Sequence, residues 1–331
     1  MSETVLSVRD LSVVTSGDGS PETILDRVAF DLRRGEILGL VGESGSGKSM
    51  TARALIQLLP GSRLAISGGS ALLKGEDILS LDERAMGAVR GGSIGMIFQN
   101  PSSHLDPVMS IGKQIAESIR FHKAVTGRTA RDHAVEILRQ VGIPDPERRY
   151  DAYPHEFSGG MRQRAMIAIA LACDPDILIA DEPTTALDVT VQAQILKLLT
   201  DLRDARGVSI IFITHDLGIV SQICDRVAVM YGGRIVELGG KREVIGNGRH
   251  PYTAGLVACQ PAEGQPGERV RTIAGQPPRV GHMPPGCRFH PRCPRADGTC
   301  SAVGPELVSA EPGHSVACHH PIGPELVEAA P

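Results

Sequence analysis

Eight residues near the N-terminus have the types and spacing of a phosphate-binding loop. Residues 42–49 read GESGSGKS, which matches the pattern G-x-x-x-x-G-K-[ST] at every fixed position. The glycines let the backbone turn tightly, so that successive N–H groups face a phosphate. Lys48 can reach the outer phosphates of a nucleotide, and the Ser49 hydroxyl can bind Mg²⁺. The predicted nucleotide-binding residues here are Gly42, Ser44, Gly45, Ser46, Gly47, Lys48, Ser49 and Met50.

The segments on either side of this loop support the interpretation. Residues 36–41 are mostly apolar and predict a short buried strand, and apolar residues recur at helical spacing from Met50 to Leu59. Strand, glycine-rich loop and helix in this order form the P-loop unit, in which the helix start also favours a phosphate. A chance glycine-rich turn is therefore a poor explanation of the motif.

A second glycine-containing motif opens another apolar helix. Residues 157–164 read FSGGMRQR, and mostly apolar residues follow. Because the N-terminus of a helix carries a partial positive charge, Ser158 and the N–H groups of Gly159 and Gly160 can bind a phosphate there. We therefore predict that these three residues contact nucleotide.

Two carboxylates end a third apolar segment. Residues 177–182 read ILIADE, which predicts a buried strand followed by Asp181 and Glu182. Asp181 suits a water-mediated hold on Mg²⁺, and Glu182 can polarise an attacking water molecule. Asp188 follows within a turn and either contacts nucleotide or has a structural role, capping a turn and contacting a partner chain.

Two further polar residues stand at strand ends. His215 follows the predicted strand 210–213, and Gln99 follows the predicted strand 94–98. Taken alone, Gln99 is equally well explained as a surface residue. A lone histidine such as His215 more often has a structural role. Together with the motifs above they predict a catalytic or phosphate-sensing role.

Composition bounds the class of protein. The chain has 331 residues, 41% of them hydrophobic but only 3% aromatic, with no Trp and a net charge of −4. This content supports an aliphatic core and offers no electrostatic basis for nucleic-acid binding. No apolar run approaches the roughly 18 residues of a membrane-spanning helix, and the N-terminus lacks the pattern of a secretory signal. We expect a soluble, cytoplasmic chain.

The order of predicted elements favours an α/β fold. Strands over residues 5–8, 11–14 and 28–32 predict an N-terminal antiparallel β subdomain, and helical spacing within about residues 100–170 predicts an inserted helical subdomain. Buried strands then alternate with helices, ending in a last strand over 226–231, which predicts a mostly parallel sheet covered on both faces. We place one domain at 1–245 and a loop-dominated extension at 246–331.

The extension contains four of the seven cysteines, Cys287, Cys293, Cys300 and Cys318. In a reducing compartment such a group indicates metal before disulfide. The spacing C-x5-C-x6-C-x17-C lacks the close pairs of structural zinc sites, and four thiolates suit either zinc or a [4Fe–4S] cluster. Unligated thiols or disulfides are the remaining alternative. Possible substitute ligands nearby are His290, His314, His319 and His320.

The set of motifs resembles the ATP-binding-cassette (ABC) ATPases over residues 5–245, and most closely the ATPase subunits of bacterial oligopeptide/dipeptide importers. The segments that carry the closer resemblance are FQNP at 98–101, YPHEFSGGMRQR at 153–164, ADEPTTALDVT at 180–190 and CRFHPRCP at 287–294. The resemblance implies ATP and Mg²⁺ as ligands and favours a [4Fe–4S] cluster over zinc on the four cysteines.

The resemblance also implies individual roles. Lys48 and Ser49 would bind the phosphates and Mg²⁺, with Gln99 and Asp181 completing the surroundings of the metal. Glu182 would be the catalytic base and His215 the sensor of the γ-phosphate. The segment from Ser158 to Gly160 would act on ATP held by a partner subunit. One departure is visible, because no aromatic residue stands near Thr15, where the family usually stacks one on adenine.

The implied assembly is a transporter of the inner membrane, with this chain bound peripherally on its cytoplasmic side. Its other parts would be a second ATPase subunit, two transmembrane permease subunits and an extracytoplasmic peptide-binding protein. The second ATPase is expected to be a paralogue, and no nucleic acid is expected as a partner. A similar importer for nickel, glutathione or another small solute is the first alternative. A soluble ABC ATPase of translation or DNA repair is the second, and it is disfavoured because such proteins typically carry two cassettes or a long coiled-coil insertion.

Overall fold

The computed structural model describes residues 3–16, 20–185, 187–260 and 272–323. The strands are β1 Thr4–Thr15, β2 Thr23–Arg33, β3 Ile37–Val41, β4 Leu64–Leu73, β5 Glu76–Asp77, β6 Ile94–Ile97, β7 Ile177–Asp181, β8 Ser209–Thr214, β9 Arg226–Tyr231, β10 Arg234–Gly240, β11 Val308–Glu311 and β12 His314–Val316. The α-helices are α1 Lys48–Leu55, α2 Glu83–Val89, α3 Pro101–His104, α4 Ile111–His122, α5 Gly127–Gln140, α6 Pro146–Arg149, α7 Gly159–Ala170, α8 Val189–Arg206, α9 Leu217–Ile223, α10 Lys241–Gly246, α11 Pro251–Ala258 and α12 Gly298–Ala302. Short 3₁₀ helices lie at Ile78–Ser80, Pro154–Glu156 and His290–Arg292. None of the helices in these described ranges is long and apolar enough to cross a membrane.

The chain divides into two compact units. The first consists mainly of Ser80–Ile213, and the second of Leu6–Leu32, Glu36–Leu79 and the chain from Thr214 onward. The first contains the strands β6, β7 and β8, which pair in parallel, with Ile94 opposite Ile177 and Ile177 opposite Ser209. Every residue of β7 is buried, as expected for a parallel strand that is covered on both faces.

Helices α3 to α7 of this unit fall between residues 101 and 170. Helix α4 buries Ile111, Ile115 and Ile119 and packs on α5, which buries Ala134 and Ile137. These positions are spaced three or four residues apart, which is the helical spacing from which the inserted helical subdomain was predicted. The predicted helical segment is therefore present.

The second unit contains an antiparallel sheet of strand order β2–β1–β4–β5. The prediction of two short strands, at 5–8 and 11–14, was wrong, because β1 runs unbroken from Thr4 to Thr15. Its register against β4 shifts between Arg9 and Ser12, and Asp10 has a positive φ of 49°. This is a β-bulge, which bends a strand and resets its alternation without ending it.

A second sheet region in this unit pairs β3 in parallel with β9, and β9 antiparallel with β10. The expectation that 226–231 is the last strand was also wrong. Strand β12 of the C-terminal extension pairs with β10, and β11 pairs with β12. The extension therefore adds its own strands to the sheet edge that β10 would otherwise leave open.

Three aromatic side chains join the extension to this sheet. Tyr231 ends β9, Tyr252 lies in α11, and Phe289 lies between two of the cysteines. Their ring centroids are 4.6 Å (Tyr231–Tyr252), 5.1 Å (Tyr231–Phe289) and 5.3 Å (Tyr252–Phe289) apart, and each residue is at most 2% exposed. Although the chain has few aromatic residues, three of them form one buried cluster.

We predict that Phe289→Ala destabilises the protein strongly. Deleting a buried Phe side chain costs about 3–5 kcal/mol through lost transfer free energy and the cavity it leaves. The change should lower the urea midpoint of unfolding, followed by circular dichroism. Val303→Ala is the control in the same extension, because Val303 is 55% exposed and should change stability by no more than about 0.5 kcal/mol. Equal midpoints for the two variants would contradict a packed role for Phe289.

Candidate functional site

The loop at residues 42–49 adopts a backbone that requires glycine. Gly42, Gly45 and Gly47 have φ values of 151°, 79° and 108°. A Cβ on Gly42 would lie 2.2 Å from the Met230 carbonyl oxygen, and one on Gly47 would lie 2.8 Å from Leu25 Cδ2. The loop therefore turns tightly against its neighbours and begins α1 directly at Lys48.

Lys48 lies along this loop. Its Nζ donates to the carbonyl oxygens of Gly42 at 2.7 Å and Glu43 at 3.0 Å. The residue is 5% exposed, so the ammonium is held where the loop turns. The Ser46 carbonyl accepts from the Gly233 N–H at 2.8 Å. Of the other predicted ligands, Ser44 and Gly45 are exposed, while Ser49 and Met50 are half-buried in the first turn of α1.

Glu43, which was not among the predicted ligands, connects the loop to the C-terminal extension. Its N–H donates to the Tyr252 hydroxyl at 2.8 Å, and its carboxylate is paired with Arg292 at 2.6 and 2.9 Å. Arg292 and Tyr252 both belong to the C-terminal extension. Glu43 occupies a variable position of the loop pattern, and no local signal links it to residues more than 200 positions away.

In the first unit, Gln99 and Glu182 lie at the ends of neighbouring parallel strands and are bonded to each other. Gln99 Nε2 donates to Glu182 Oε2 at 2.9 Å, and Thr185 Oγ1 donates to the same oxygen at 3.0 Å. Glu182 has a positive φ of 47°, and its N–H donates to the Ile213 carbonyl at 3.0 Å. Asp181 is 2% exposed at the end of β7. The carboxylate of Glu182 is thus oriented from two sides, and Thr185 is a contributor that the sequence analysis missed.

The second glycine motif and Asp188 stand at two helix N-termini in the same unit. Ser158 Oγ accepts from the Met161 N–H at 3.3 Å and caps α7, and Asp188 Oδ1 accepts from the Val191 N–H at 2.9 Å and caps α8. A Cβ on Gly160 would lie 2.9 Å from Val191 Cγ1, so the two helix starts are in contact. Ser158, Gly159 and Asp188 are exposed, which leaves them accessible to another molecule.

His215 is the first residue beyond β8 and is exposed. Its neighbours are structural: the Asp216 N–H donates to Thr214 Oγ1 at 3.0 Å, and the Asp216 carboxylate caps α9 through the Gly218 N–H at 2.7 Å. These contacts hold the backbone on the C-terminal side of the histidine.

The four C-terminal cysteines lie in one neighbourhood, and all seven cysteines of the chain are free thiols. The Cys287 N–H donates to the Cys300 carbonyl at 2.8 Å, and the Arg295 N–H donates to Cys293 Sγ at 3.4 Å. Burial raises the pKa of Cys318 to about 12, and the charges of Cys287, Cys293 and Cys300 contribute to this increase. The four thiols are thus close enough to influence one another.

The nearby histidines have other partners. His314 is paired with the buried Glu237 at 2.7 Å, His290 Nδ1 lies 2.9 Å from the Cys287 carbonyl, and His319 Nε2 lies 2.9 Å from the Val303 carbonyl. His320 lies 2.9 Å from the Asp297 carboxylate. Within the described ranges, the one group of three possible metal ligands with all atoms inside 4.8 Å is Asp297, Cys300 and His320.

Comparison with known proteins accounts for both parts of the chain. Residues 25–185 match the family described as "ABC transporter", and residues 236–300 match "Oligopeptide/dipeptide transporter, C-terminal region". A probable peptide ABC transporter ATP-binding protein of Sinorhizobium fredii (y4tR) is 49% identical over 95% of this chain and 94% of its own. The dipeptide transport ATP-binding protein DppD of Bacillus subtilis is 45% identical over 96% of this chain and 94% of its own.

A solved structure agrees with these matches. The ATP-binding cassette MJ0796, in a dimeric post-hydrolysis state bound to ADP and Pi, superposes with a TM-score of 0.64 at 26% identity, covering 72% of this chain and 99% of that one. The residues matched to the ABC transporter family include the phosphate loop, the strand-end carboxylates and the glycine motif described above. The chain belongs to the ATP-binding subunits of ABC transporters, in the group that carries the oligopeptide/dipeptide transporter C-terminal region.

Proposed function

We propose that this chain is the ATP-hydrolysing subunit of an importer for di- and oligopeptides. The observation that carries the proposal is that similarity to peptide-transport ATPases extends over 95% of the chain, including the C-terminal extension. A general cassette ATPase would match in the first part alone. The bonded pair Gln99 and Glu182 supports hydrolysis as the activity, and the exposed glycine motif supports assembly with a second ATPase.

Binding of ATP is assigned to the loop at 42–49. Its N–H groups and the start of α1 would hold the phosphates, and Lys48 would exchange its loop carbonyls for phosphate oxygens. Ser49 would offer its hydroxyl to Mg²⁺, with Asp181 and Gln99 completing the metal's surroundings. No aromatic residue is assigned to the adenine, so phosphate binding supplies most of the affinity.

Hydrolysis is assigned to Glu182 as the general base. A base must be held within reach of the proton that it takes and must remain charged until then. The two donors on Oε2, from Gln99 and Thr185, fix the orientation of the carboxylate. His215 would contact the γ-phosphate, where positioning and charge stabilisation account for most of the rate enhancement in phosphoryl transfer.

The remaining elements act between chains. Ser158, Gly159 and Gly160 would contact ATP held by a second ATPase subunit, expected to be a paralogue, and Asp188 would lie beside them at that interface. Closure of the two ATPases would drive two permease subunits, which receive peptides from an extracytoplasmic binding protein. In this proposal the chain sits peripherally on the cytoplasmic side of the inner membrane.

The four cysteines of the extension are proposed to hold a [4Fe–4S] cluster. A single tetrahedral zinc ion with Zn–S distances of about 2.3 Å needs sulfurs about 3.8 Å apart. The thiols influence one another, yet no three of these four described residues come together within 4.8 Å. Four cysteine thiolates are also the ligand set of a [4Fe–4S] cluster. ATP-driven import requires no electron transfer, so the group would serve as a structural or regulatory staple of an extension with little core.

We predict that Glu182→Gln leaves ATP binding intact and stops hydrolysis. Replacing a general base lowers turnover by about 100-fold or more, while the amide retains the size of the side chain. Phosphate release by the assembled transporter and retention of labelled ATP measure the two effects. Glu76→Gln, an exposed glutamate of β5, is the control and should behave as the wild type. Unchanged turnover at this subunit's site would remove Glu182 from the proposed role.

We predict that the cargo is peptide. A strain without this chain should lose uptake of labelled di- or oligopeptides and regain it with the wild-type gene but not with Glu182→Gln. Uptake of nickel and glutathione should be unchanged. If peptide uptake persists and nickel or glutathione uptake is lost, the ATPase assignment stands and the peptide assignment fails.

We predict about four iron atoms per chain in protein purified without oxygen. The four cysteines would bind one [4Fe–4S] cluster, which contains four iron atoms. Metal analysis and the visible absorption spectrum measure it. Cys318→Ser should lose iron, whereas Cys259→Ser, outside the group of four, should retain it. Stoichiometric zinc in place of iron, or a colourless protein without either metal, would contradict the proposal.

A further inference from the structure

The guanidinium of Arg292 in the extension is fully engaged with the phosphate loop and its surroundings. It donates to both carboxylate oxygens of Glu43, at 2.6 and 2.9 Å, and to the Tyr231 hydroxyl at 3.3 Å. Its Nε donates to the Ala274 carbonyl at 2.9 Å. The side chain is 4% exposed, against 27% for Glu43. A bidentate arginine–carboxylate pair fixes direction as well as distance, and here the arginine is shielded from water.

Glu43 transmits this contact to the loop backbone. The residue directly follows Gly42, its N–H donates to the Tyr252 hydroxyl at 2.8 Å, and its carbonyl accepts from Lys48 at 3.0 Å. The Ser46 N–H in turn donates to the Glu43 carbonyl at 3.2 Å. A displacement of Glu43 would therefore move the turn of the loop and the lysine that binds phosphate.

A neighbouring arginine makes a second, parallel connection. Arg288 donates to Asp26 Oδ2 at 2.6 Å and also to the Gly232 carbonyl. The next residue, Gly233, donates its N–H to the Ser46 carbonyl at 2.8 Å. The cysteine-bearing segment 287–293 thus contacts the loop's surroundings at both of its ends.

We propose that Arg292 is a positioning residue for ATP binding, which makes the C-terminal extension a structural part of the nucleotide site. The inference rests on the assignment of residues 42–49 as the loop that binds ATP. Arg292 does not contact the reacting atoms. It acts through Glu43, holding the loop in the conformation that receives phosphate, so its loss should weaken ATP binding more than it slows hydrolysis at saturating ATP.

The test is a titration of the full chain with a fluorescent N-methylanthraniloyl derivative of ATP and Mg²⁺. Arg292→Gln and Glu43→Gln should each raise Kd about tenfold, equivalent to about 1.4 kcal/mol. The double variant should be no weaker than the weaker single variant, because both changes remove the same pair. In the assembled transporter, Arg292→Gln should raise KM by a similar factor and change kcat less than about threefold.

Controls separate this inference from the function on which it rests. Arg295→Gln, at an exposed arginine two residues beyond the segment 287–293, should keep Kd within about twofold of wild type. Lys48→Ala should abolish binding. If Lys48→Ala has no effect, the assignment of the loop fails. If Lys48→Ala abolishes binding but Arg292→Gln and Glu43→Gln stay within twofold, the positioning role is overturned. A double variant that weakens binding about a hundredfold would overturn it too, because the two residues would then act independently. Should Arg292→Gln not fold by circular dichroism, Glu43→Gln decides, because it leaves the carbonyl contact of Arg292 intact.

Discussion

The phosphate loop depends on how Glu43 is held. Glycine-rich segments lose the most conformational freedom on folding, so a loop with three positive-φ glycines needs contacts to keep one conformation. Its one long acidic side chain is bound by Arg292, its N–H by Tyr252 and its carbonyl by Lys48. Two of these three partners come from the C-terminal extension, so the conformation of the loop depends on the folding of a segment that the sequence places far away.

The extension is able to fold because the ATPase core supplies what it lacks. Strand β12 pairs with β10 at the sheet edge, and Phe289 packs on Tyr231 at the end of β9. The buried Glu237 of β10 pairs with His314 at 2.7 Å and accepts the N–H groups of Arg249 and His250 at 2.7 and 2.9 Å. A buried carboxylate needs hydrogen-bond donors. These contacts supply the donors and also hold the extension against the sheet.

Sequence patterns predicted the local elements and failed at distant contacts. Strand Arg226–Tyr231 matches its predicted limits, because a run of apolar residues reports burial directly. Strands β11 and β12 were missed because they have only four and three residues, too few for a periodic pattern to stand out. The pair Gln99–Glu182 was predicted as part of one site, since motifs specify strand ends. The pair Glu43–Arg292 spans 249 positions, and neither residue type is unusual in its segment.

The most direct test of the account is hydrogen–deuterium exchange of the loop amides without nucleotide. If the extension holds the loop, Arg292→Gln should accelerate exchange in a peptide covering residues 42–49, while peptides around Ser158 and Gln99 keep the wild-type rates. Equal rates in the loop for the wild type and Arg292→Gln, with both proteins folded, would contradict the claim that the extension forms part of the nucleotide site.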